Sequence, residues 1–248
     1  MAEARSSFAV MGTGGVGGTF GARLAAAGFA VTFIARGAHL AAIREGGLRL
    51  LSTGGDLTID PARATDDPAE IGPVDVVLFA VKLYDTEAAG RALEPLIGAE
   101  TAVLSLQNGV EAEAQLAAIV GPEHVMGGVA QISAVIEQPG VIRHSSPFAR
   151  IIFGELDGRR SRRAEALLAA CERAGIDATL SAEIEKEIWI KFVFLASFSA
   201  VTTLTGLNAG PIRDDPDLRA VTARALNEVV AVGRAKGIPL ELAFGAED

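Results

Sequence analysis

The chain has 248 residues, half of them hydrophobic, with a net charge of −9 and a single cysteine. This length and apolar content allow a sizeable core, in one large domain or, as we prefer, in two domains of unequal size. The acidic charge argues against nucleic acid or an anionic membrane as the main partner, and the lone Cys171 excludes an internal disulfide and fits a reducing compartment, so we expect a cytoplasmic protein.

The first element combines a strand, a glycine turn and a helix. In Phe8-Ala-Val-Met-Gly12-Thr-Gly14-Gly-Val-Gly17, an apolar run precedes the glycines, and an alanine-rich stretch without proline follows them. In that context the pattern predicts a dinucleotide site, where Gly12 allows the tight turn, Gly14 lets a pyrophosphate approach, and Gly17 lets the helix pack on the strand. We expect the phosphates at the helix N-terminus, held by Gly12, Thr13, Gly14, Gly15, Val16 and Gly17.

The end of the second strand indicates which dinucleotide fits. Ala30-Val-Thr-Phe-Ile-Ala35 predicts a strand, and Arg36 follows it where an NAD site would carry Asp or Glu. Arginine suits the 2′-phosphate of NADP, so we expect NADP(H) as the cofactor. The alternative is a surface arginine in the Arg36-Gly37 turn.

Two later strands end in polar residues. The apolar run at residues 74–81 predicts a strand buried on both faces, and Lys82 follows it directly. The run at residues 101–106 predicts the next strand, which Gln107-Asn108-Gly109 closes. Lys82 could contact the cofactor or be an ordinary loop lysine. Asn108 is expected to face the ligand crevice at the carboxyl ends of these strands, and it could also cap the helix that follows.

The chain after residue 130 predicts three strands in a β-meander, with Pro139-Gly140 at one turn. We expect His144, on the second of these strands, to lie at the surface. A covering helix over residues 159–174 and a short strand over residues 177–180 follow.

From Ser181 the sequence predicts one long helix, with Ser181 as its N-cap and acidic residues in the first turns. Beyond Phe192 the helix is apolar on all sides, which is typical of a helix buried in a helical domain. Its most apolar part is interrupted by Lys191 and is short for a membrane span, so we expect no membrane segment. The predicted fold is α/β, with an N-terminal Rossmann-type doubly wound sheet over residues 1–181 and an all-helical C-terminal domain over residues 182–248.

Lys191 stands between Ile190 and Phe192 in this increasingly apolar helix. Desolvation lowers the pKa of an amine, which can suit it to donate a proton near neutral pH, and an ammonium can also polarise a carbonyl. The alternative is an i,i+4 pair with Glu187, worth a few tenths of a kcal/mol. The apolar surroundings favour a functional lysine over a solvated pair.

Together these features resemble the ketopantoate reductases, also called 2-dehydropantoate 2-reductases, along nearly the whole chain. The resemblance is carried by Met11-Gly-Thr-Gly-Gly-Val-Gly17, Arg36, Val81-Lys82, Leu106-Gln-Asn-Gly109 and Ile188-Trp-Ile-Lys-Phe192. It implies an N-terminal NADPH domain, a C-terminal helical domain, and reduction of the branched 2-oxo acid 2-dehydropantoate to pantoate on the pantothenate route. A homodimer and no resident metal are expected.

The resemblance also implies roles for single residues. Lys191 would donate the proton to the substrate carbonyl, and Asn108 would contact the nicotinamide ribose and the substrate. Arg36 and Lys82 would hold the adenosine phosphate end, and Ser133 matches a further cofactor contact. The expected substrate contacts are Lys191, Ser199, Asn208 and Glu228.

The sequence departs from the family in two places. Leu195 and Ser199 stand where the family usually has asparagines, which removes at least one substrate amide. The chain ends at Asp248, where family members continue into further helices, so the helical domain is expected to be shortened. The alternatives are therefore a reductase of a different 2-oxo acid or carbonyl compound, and a shortened chain that binds NADPH without turnover.

Overall fold

The computed structural model describes residues 6–245. The chain divides into two compact units, Met1–Ile184 and Glu185–Asp248. The first unit thus ends at Ile184, whereas the sequence placed the end of the first domain at residue 181.

The described residues form twelve strands and eight α-helices. The strands are β1 (Ser7–Met11), β2 (Ala30–Ile34), β3 (Leu48–Ser52), β4 (Leu57–Ile59), β5 (Arg63–Thr65), β6 (Val76–Phe79), β7 (Ala102–Ser105), β8 (Val125–Gln131), β9 (Ala134–Gln138), β10 (Val141–His144), β11 (Arg150–Glu155) and β12 (Asp177–Leu180). The helices are α1 (Gly15–Ala26), α2 (Gly37–Gly46), α3 (Thr86–Arg91), α4 (Ala112–Val120), α5 (Arg162–Arg173), α6 (Ile184–Thr205), α7 (Ala209–Asp214) and α8 (Pro216–Ala235).

The first unit is built on an eight-stranded sheet in the order β5, β2, β1, β6, β7, β8, β11, β12. The six strands from β5 to β8 are parallel, β11 is antiparallel to β8, and β12 is parallel to β11. The order of the parallel strands is that of a doubly wound dinucleotide-binding sheet, and it reverses between β1 and β6. The predicted fold class is confirmed, and the glycine turn after β1 lies at this reversal.

Both faces of the sheet are buried at its centre, which explains the continuous apolar runs of β6 and β7. Phe8 and Val10 of β1 belong to one core, with α1, α2 and α5, whereas Ala9 and Met11 belong to the other, with α3 and α4. Cys171 of α5 lies in the first core, and burial raises the pKa of its thiol to about 12. This cysteine is therefore a packing residue.

The predicted β-meander is wrong. The strands β9 and β10 do form an antiparallel hairpin, but β10 continues into a second sheet in the order β4, β3, β10, β9, where it pairs in parallel with β3. The third strand, β11, returns to the main sheet beside β8. Burial explains the separation, because β8 and β11 are buried almost throughout, whereas all of β9 except Ala134 is exposed and forms the edge of the small sheet.

Helix α3 ends at Arg91, and Glu94–Leu96 forms a 3₁₀ turn. Pro95 lies in that turn, and a proline removes a donor and disfavours helical conformation in the residue before it. The long helix starts at Ile184, and the hydroxyl of Ser181 accepts a hydrogen bond from the Glu183 N–H, 3.0 Å away, before the helix begins.

The second unit contains α7, α8 and α6 from Glu185 onward. The side chain of Leu204 is 84% exposed, and those of Phe194 and Phe198 are 48% and 39% exposed. The expectation that α6 is buried on all sides beyond Phe192 is therefore wrong. By length and composition α6 could cross a membrane, a criterion that the core helices of non-membrane proteins also meet.

Candidate functional site

The glycine-rich turn leads from β1 into α1. Gly12 has a φ of 97°, and a Cβ there would lie 2.8 Å from the Val81 nitrogen, while a Cβ on Gly17 would overlap the Gly12 carbonyl oxygen. Around a Cβ on Gly14, in contrast, no atom of the described residues would lie within 4 Å. No side chain of residues 6–245 caps the α1 N-terminus at Gly14. The turn therefore leaves open space and unpaired helix amides where the pyrophosphate is predicted.

Thr13, at the centre of this turn, is held by three hydrogen bonds. Its N–H and its hydroxyl both donate to the Ile34 carbonyl, at 3.1 and 3.0 Å. Its own carbonyl oxygen lies 2.9 Å from Nε2 of His39, in the first turn of α2. The position of Thr13 is thus fixed by the end of β2 and by α2. His39 was not among the residues predicted from the sequence.

Arg36 is exposed at the start of α2. It occupies the N-cap position, and among the described residues no side chain caps this helix. Gly37 follows with a φ of 56°, and no described atom would lie within 4 Å of a Cβ on it. The guanidinium and the helix amides together could bind a phosphate at this edge of the sheet.

Lys82 and Asn108 are both exposed and follow β6 and β7, which are neighbouring parallel strands. The structure therefore places both residues at the edge of the sheet where ligands bind in doubly wound folds. The suggestion that Asn108 caps the next helix is wrong, because α4 begins at Ala112 with Glu111 before it.

Gln107, also not identified from the sequence, links these two strand ends. Its side-chain nitrogen donates to the Val81 carbonyl at 3.0 Å and to the Thr86 hydroxyl at 2.9 Å. The Thr86 hydroxyl in turn donates to the Leu83 carbonyl at 2.7 Å. Because a carbonyl oxygen can only accept, the amide orientation of Gln107 is determined. The buried Gln107 thus fixes the loop on which Lys82 lies.

Ser133 is exposed just before β9, close to the glycine-rich turn. A Cβ on Gly15 would overlap the carbonyl oxygen of Ala134, so the chain beside Ser133 packs directly on the first turn of α1. The Ser133 N–H donates to the Ser146 hydroxyl at 2.9 Å, and its carbonyl accepts from the Ser145 N–H at 2.9 Å. Ser133 is therefore positioned on the same side of the sheet as the turn.

His144 is only 4% exposed, so its predicted surface position is wrong. Its Nε2 lies 3.0 Å from the Phe148 carbonyl, which can only accept, so this nitrogen carries a proton. Its Nδ1 lies 2.9 Å from the Ser52 hydroxyl. The ring thus ties β3 to the chain after β10, and its role is structural.

Lys191 lies in the second unit, two turns into α6. Burial lowers the pKa of its ammonium group to about 8. At neutral pH the amine is therefore mostly protonated, but it gives up its proton far more readily than a solvated lysine. This combination suits a group that donates a proton to a developing oxyanion.

The other predicted substrate contacts, Ser199, Asn208 and Glu228, are exposed. Leu195 and Ser199 follow Lys191 at spacings of four and eight residues and share its helix face, with Leu195 half-buried and Ser199 exposed. Asn208 is exposed at the start of α7, and Glu228 is exposed on α8. Within residues 6–245 there is no cluster of three or more His, Cys, Asp or Glu side chains that could hold a metal ion.

Comparison with known proteins covers both units. The family described as "Ketopantoate reductase PanE/ApbA" matches residues 8–158, and "Ketopantoate reductase PanE/ApbA C terminal" matches residues 183–246. The chain is 33% identical over 240 residues to the uncharacterized oxidoreductase YkpB of Bacillus subtilis, covering 97% of this chain and 78% of that protein. It is also 33% identical over 250 residues to a 2-dehydropantoate 2-reductase of Mesorhizobium japonicum, with 92% and 76% covered.

A solved structure shows the same similarity in three dimensions. The crystal structure of 2-dehydropantoate 2-reductase from Porphyromonas gingivalis superposes with a TM-score of 0.88 at 33% identity. The match covers 95% of this chain and 85% of that one. The sequence match and the fold match therefore extend over the same two units.

Proposed function

Because the chain belongs to the ketopantoate reductase family, we propose that it reduces a 2-oxo acid to a 2-hydroxy acid with NADPH. The proposed substrate is 2-dehydropantoate and the product pantoate, a step of pantothenate biosynthesis. Membership makes the chain an oxidoreductase that acts on a CH–OH group or the corresponding ketone. The observation that carries the proposal is Lys191, an amine whose pKa burial lowers to about 8.

The residues of the first unit fit NADP(H). The open backbone at Gly14 and the uncapped α1 N-terminus would hold the pyrophosphate. Arg36, with the uncapped N-terminus of α2, would bind the 2′-phosphate, since a guanidinium recognises phosphate by charge and fork geometry. Lys82 would contact the adenosine end. Asn108 would contact the nicotinamide ribose, and Ser133 would make a further contact with the cofactor.

In this reaction a nicotinamide held by the first unit would supply the hydride. As negative charge develops on the carbonyl oxygen of the substrate, the Lys191 ammonium stabilises it and transfers one proton from Nζ to that oxygen. The ketone thus gains a hydride and a proton and becomes an alcohol, and Lys191 recovers its proton from solvent. A pKa near 8 keeps the amine protonated at neutral pH while limiting the cost of the transfer.

Leu195 favours a second candidate. It occupies the Lys191 face of α6, where the family usually has an asparagine, and its side chain is half-buried. An apolar side chain at this place would recognise an apolar substituent rather than a hydroxyl. The alternative substrate is therefore a 2-oxo acid with an apolar group in place of the hydroxyl. A chain that binds NADPH without turnover is the non-enzymatic alternative.

We also propose that the protein forms a homodimer in the cytoplasm. Phe198 and Leu204 of α6 leave large apolar surface exposed, and side chains of this kind are commonly buried against a second copy.

The test is the rate of NADPH oxidation with 2-dehydropantoate and with a panel of other 2-oxo acids that includes 2-oxoisovalerate and phenylglyoxylate. The highest kcat/KM for 2-dehydropantoate would support the proposed substrate, and a higher value for an apolar acid would support the alternative. NADPH binding without turnover of any acid would support the non-enzymatic alternative. Failure to bind NADPH would refute the proposal.

A further inference from the structure

We propose that His39 is a positioning residue for the cofactor site: it holds the Thr13 carbonyl and thereby aims the next N–H, that of Gly14, at the pyrophosphate. The inference rests on the proposed function in one respect, that the glycine-rich turn binds NADP(H). It adds a residue that lies outside the glycine-rich turn and does not belong to the glycine motif.

The hydrogen-bond partners of His39 determine its protonation state. Nδ1 accepts from the backbone N–H of Gly140 at 3.0 Å, and this partner can only donate. Nε2 lies 2.9 Å from the Thr13 carbonyl oxygen, and this partner can only accept. The ring is therefore neutral, with its proton on Nε2. Burial also lowers the pKa of His39, against the opposing effect of the Thr13 carbonyl.

Gly140, the hydrogen-bond partner of His39 Nδ1, is itself fixed in position. Gly140 has a φ of 77°, in the left-handed region that favours glycine. Its carbonyl accepts from the Arg49 N–H at 2.9 Å, and a Cβ on it would lie 3.1 Å from the Ala42 Cβ of α2. His39 therefore ties the glycine-rich turn to the rigid turn between β9 and β10.

The geometry of the peptide bond explains the effect on the cofactor. In a trans peptide the C=O and the next N–H point in opposite directions. When His39 holds the Thr13 carbonyl on one side, the Gly14 N–H points to the other side. The N–H and the hydroxyl of Thr13 are fixed separately by Ile34, so the contribution of His39 is specific to this peptide plane.

Two substitutions separate positioning from stability. His39→Gln keeps a donor at the place of Nε2 and loses the acceptor for Gly140, whereas His39→Asn keeps the acceptor at the place of Nδ1 and cannot reach Thr13. Each variant loses one hydrogen bond, so their urea midpoints should fall by similar amounts. The dissociation constant of NADPH, measured by its fluorescence, should rise about fivefold to tenfold in His39→Asn and less than threefold in His39→Gln.

A second comparison identifies the part of the cofactor that is affected. His39→Asn should weaken NADPH and NADH by the same factor, because both carry the pyrophosphate, whereas Arg36→Ala should weaken NADPH alone. Equal NADPH affinities in the two His39 variants would overturn the positioning role and leave the proposed function intact. The positioning role would also be overturned if the loss of NADPH affinity in each variant simply paralleled its loss of stability. A wild-type protein that binds neither cofactor would instead refute the proposed function, and the inference with it.

Discussion

Replacing the buried amine at position 191 with a side chain of similar length should stabilise the protein. Burial lowers the Lys191 pKa from 10.5 to about 8, which at about 1.4 kcal/mol per pH unit corresponds to an upper limit of about 3 kcal/mol for keeping the charge at neutral pH. Lys191→Met removes the charge and retains most of the volume. We therefore expect the variant to gain about 1–3 kcal/mol in its free energy of unfolding at pH 7 while losing turnover.

The pH dependence isolates the origin of this gain. Between pH 8 and pH 10.5 the unfolded state holds the Lys191 proton more tightly than the folded state, so the contribution of Lys191 to the free energy of unfolding becomes less unfavourable as pH rises over this window. Urea unfolding at pH 7 and at pH 10 should therefore show a large advantage of Lys191→Met at pH 7 and a smaller one at pH 10. Lys186→Met, on the same helix, is the matched control for the substitution itself. A Lys191→Met variant that is less stable than wild type, as the loss of a Glu187 ion pair would make it, would refute the reasoning.

Three further predictions concern the cofactor site and association. Arg36→Ala should raise the dissociation constant of NADPH at least tenfold and leave that of NADH within threefold, because only NADPH carries the 2′-phosphate; an equal change for both would contradict the assignment of Arg36. Gln107→Leu should lower the free energy of unfolding, measured with urea, by about 1–3 kcal/mol, because the Val81 carbonyl and the Thr86 hydroxyl lose their donor. The variant should also raise the KM for NADPH, since Lys82 lies on the loop that Gln107 holds. An unchanged KM would show that this loop does not bind the cofactor. Light scattering at micromolar concentration should give the mass of a dimer, and a monomer would contradict the role given to Phe198 and Leu204.

The centre of the doubly wound sheet was predictable because β1, β6 and β7 are short, buried strands that are each followed by a helix. Apolar runs such as that of β6 are typical of parallel strands covered on both faces. The second sheet was not predictable, since local pattern shows that β9 and β10 form a hairpin but does not show that β10 pairs with β3, more than 80 residues earlier in the chain. The exposure of α6 was missed for a related reason, because an apolar sequence does not tell which of its faces has a partner.

The candidate site likewise contains residues that the local sequence predicts and residues that it does not. Glycines with steric requirements, and polar residues that directly follow strands, carry a local signal, so Gly12, Arg36, Lys82 and Asn108 were predicted. Gln107 stands beside Asn108 in the same motif, but its two acceptors lie on another loop. His39 offered a weak signal, a histidine three residues after Arg36 in the first turn of α2, and its role depends on Gly140, about 100 residues away.

The most direct test of the central claim is the rate of hydride transfer in a single turnover of Lys191→Ala, measured with saturating NADPH and the best 2-oxo acid of the panel. Since general acid catalysis contributes about a hundredfold to ten-thousandfold, the rate should fall by a factor in that range. The dissociation constant of NADPH should stay within about twofold of wild type, because the phosphates are assigned to the glycine-rich turn and Arg36. A folded Lys191→Ala protein that binds NADPH and transfers hydride at a near-normal rate would contradict the account.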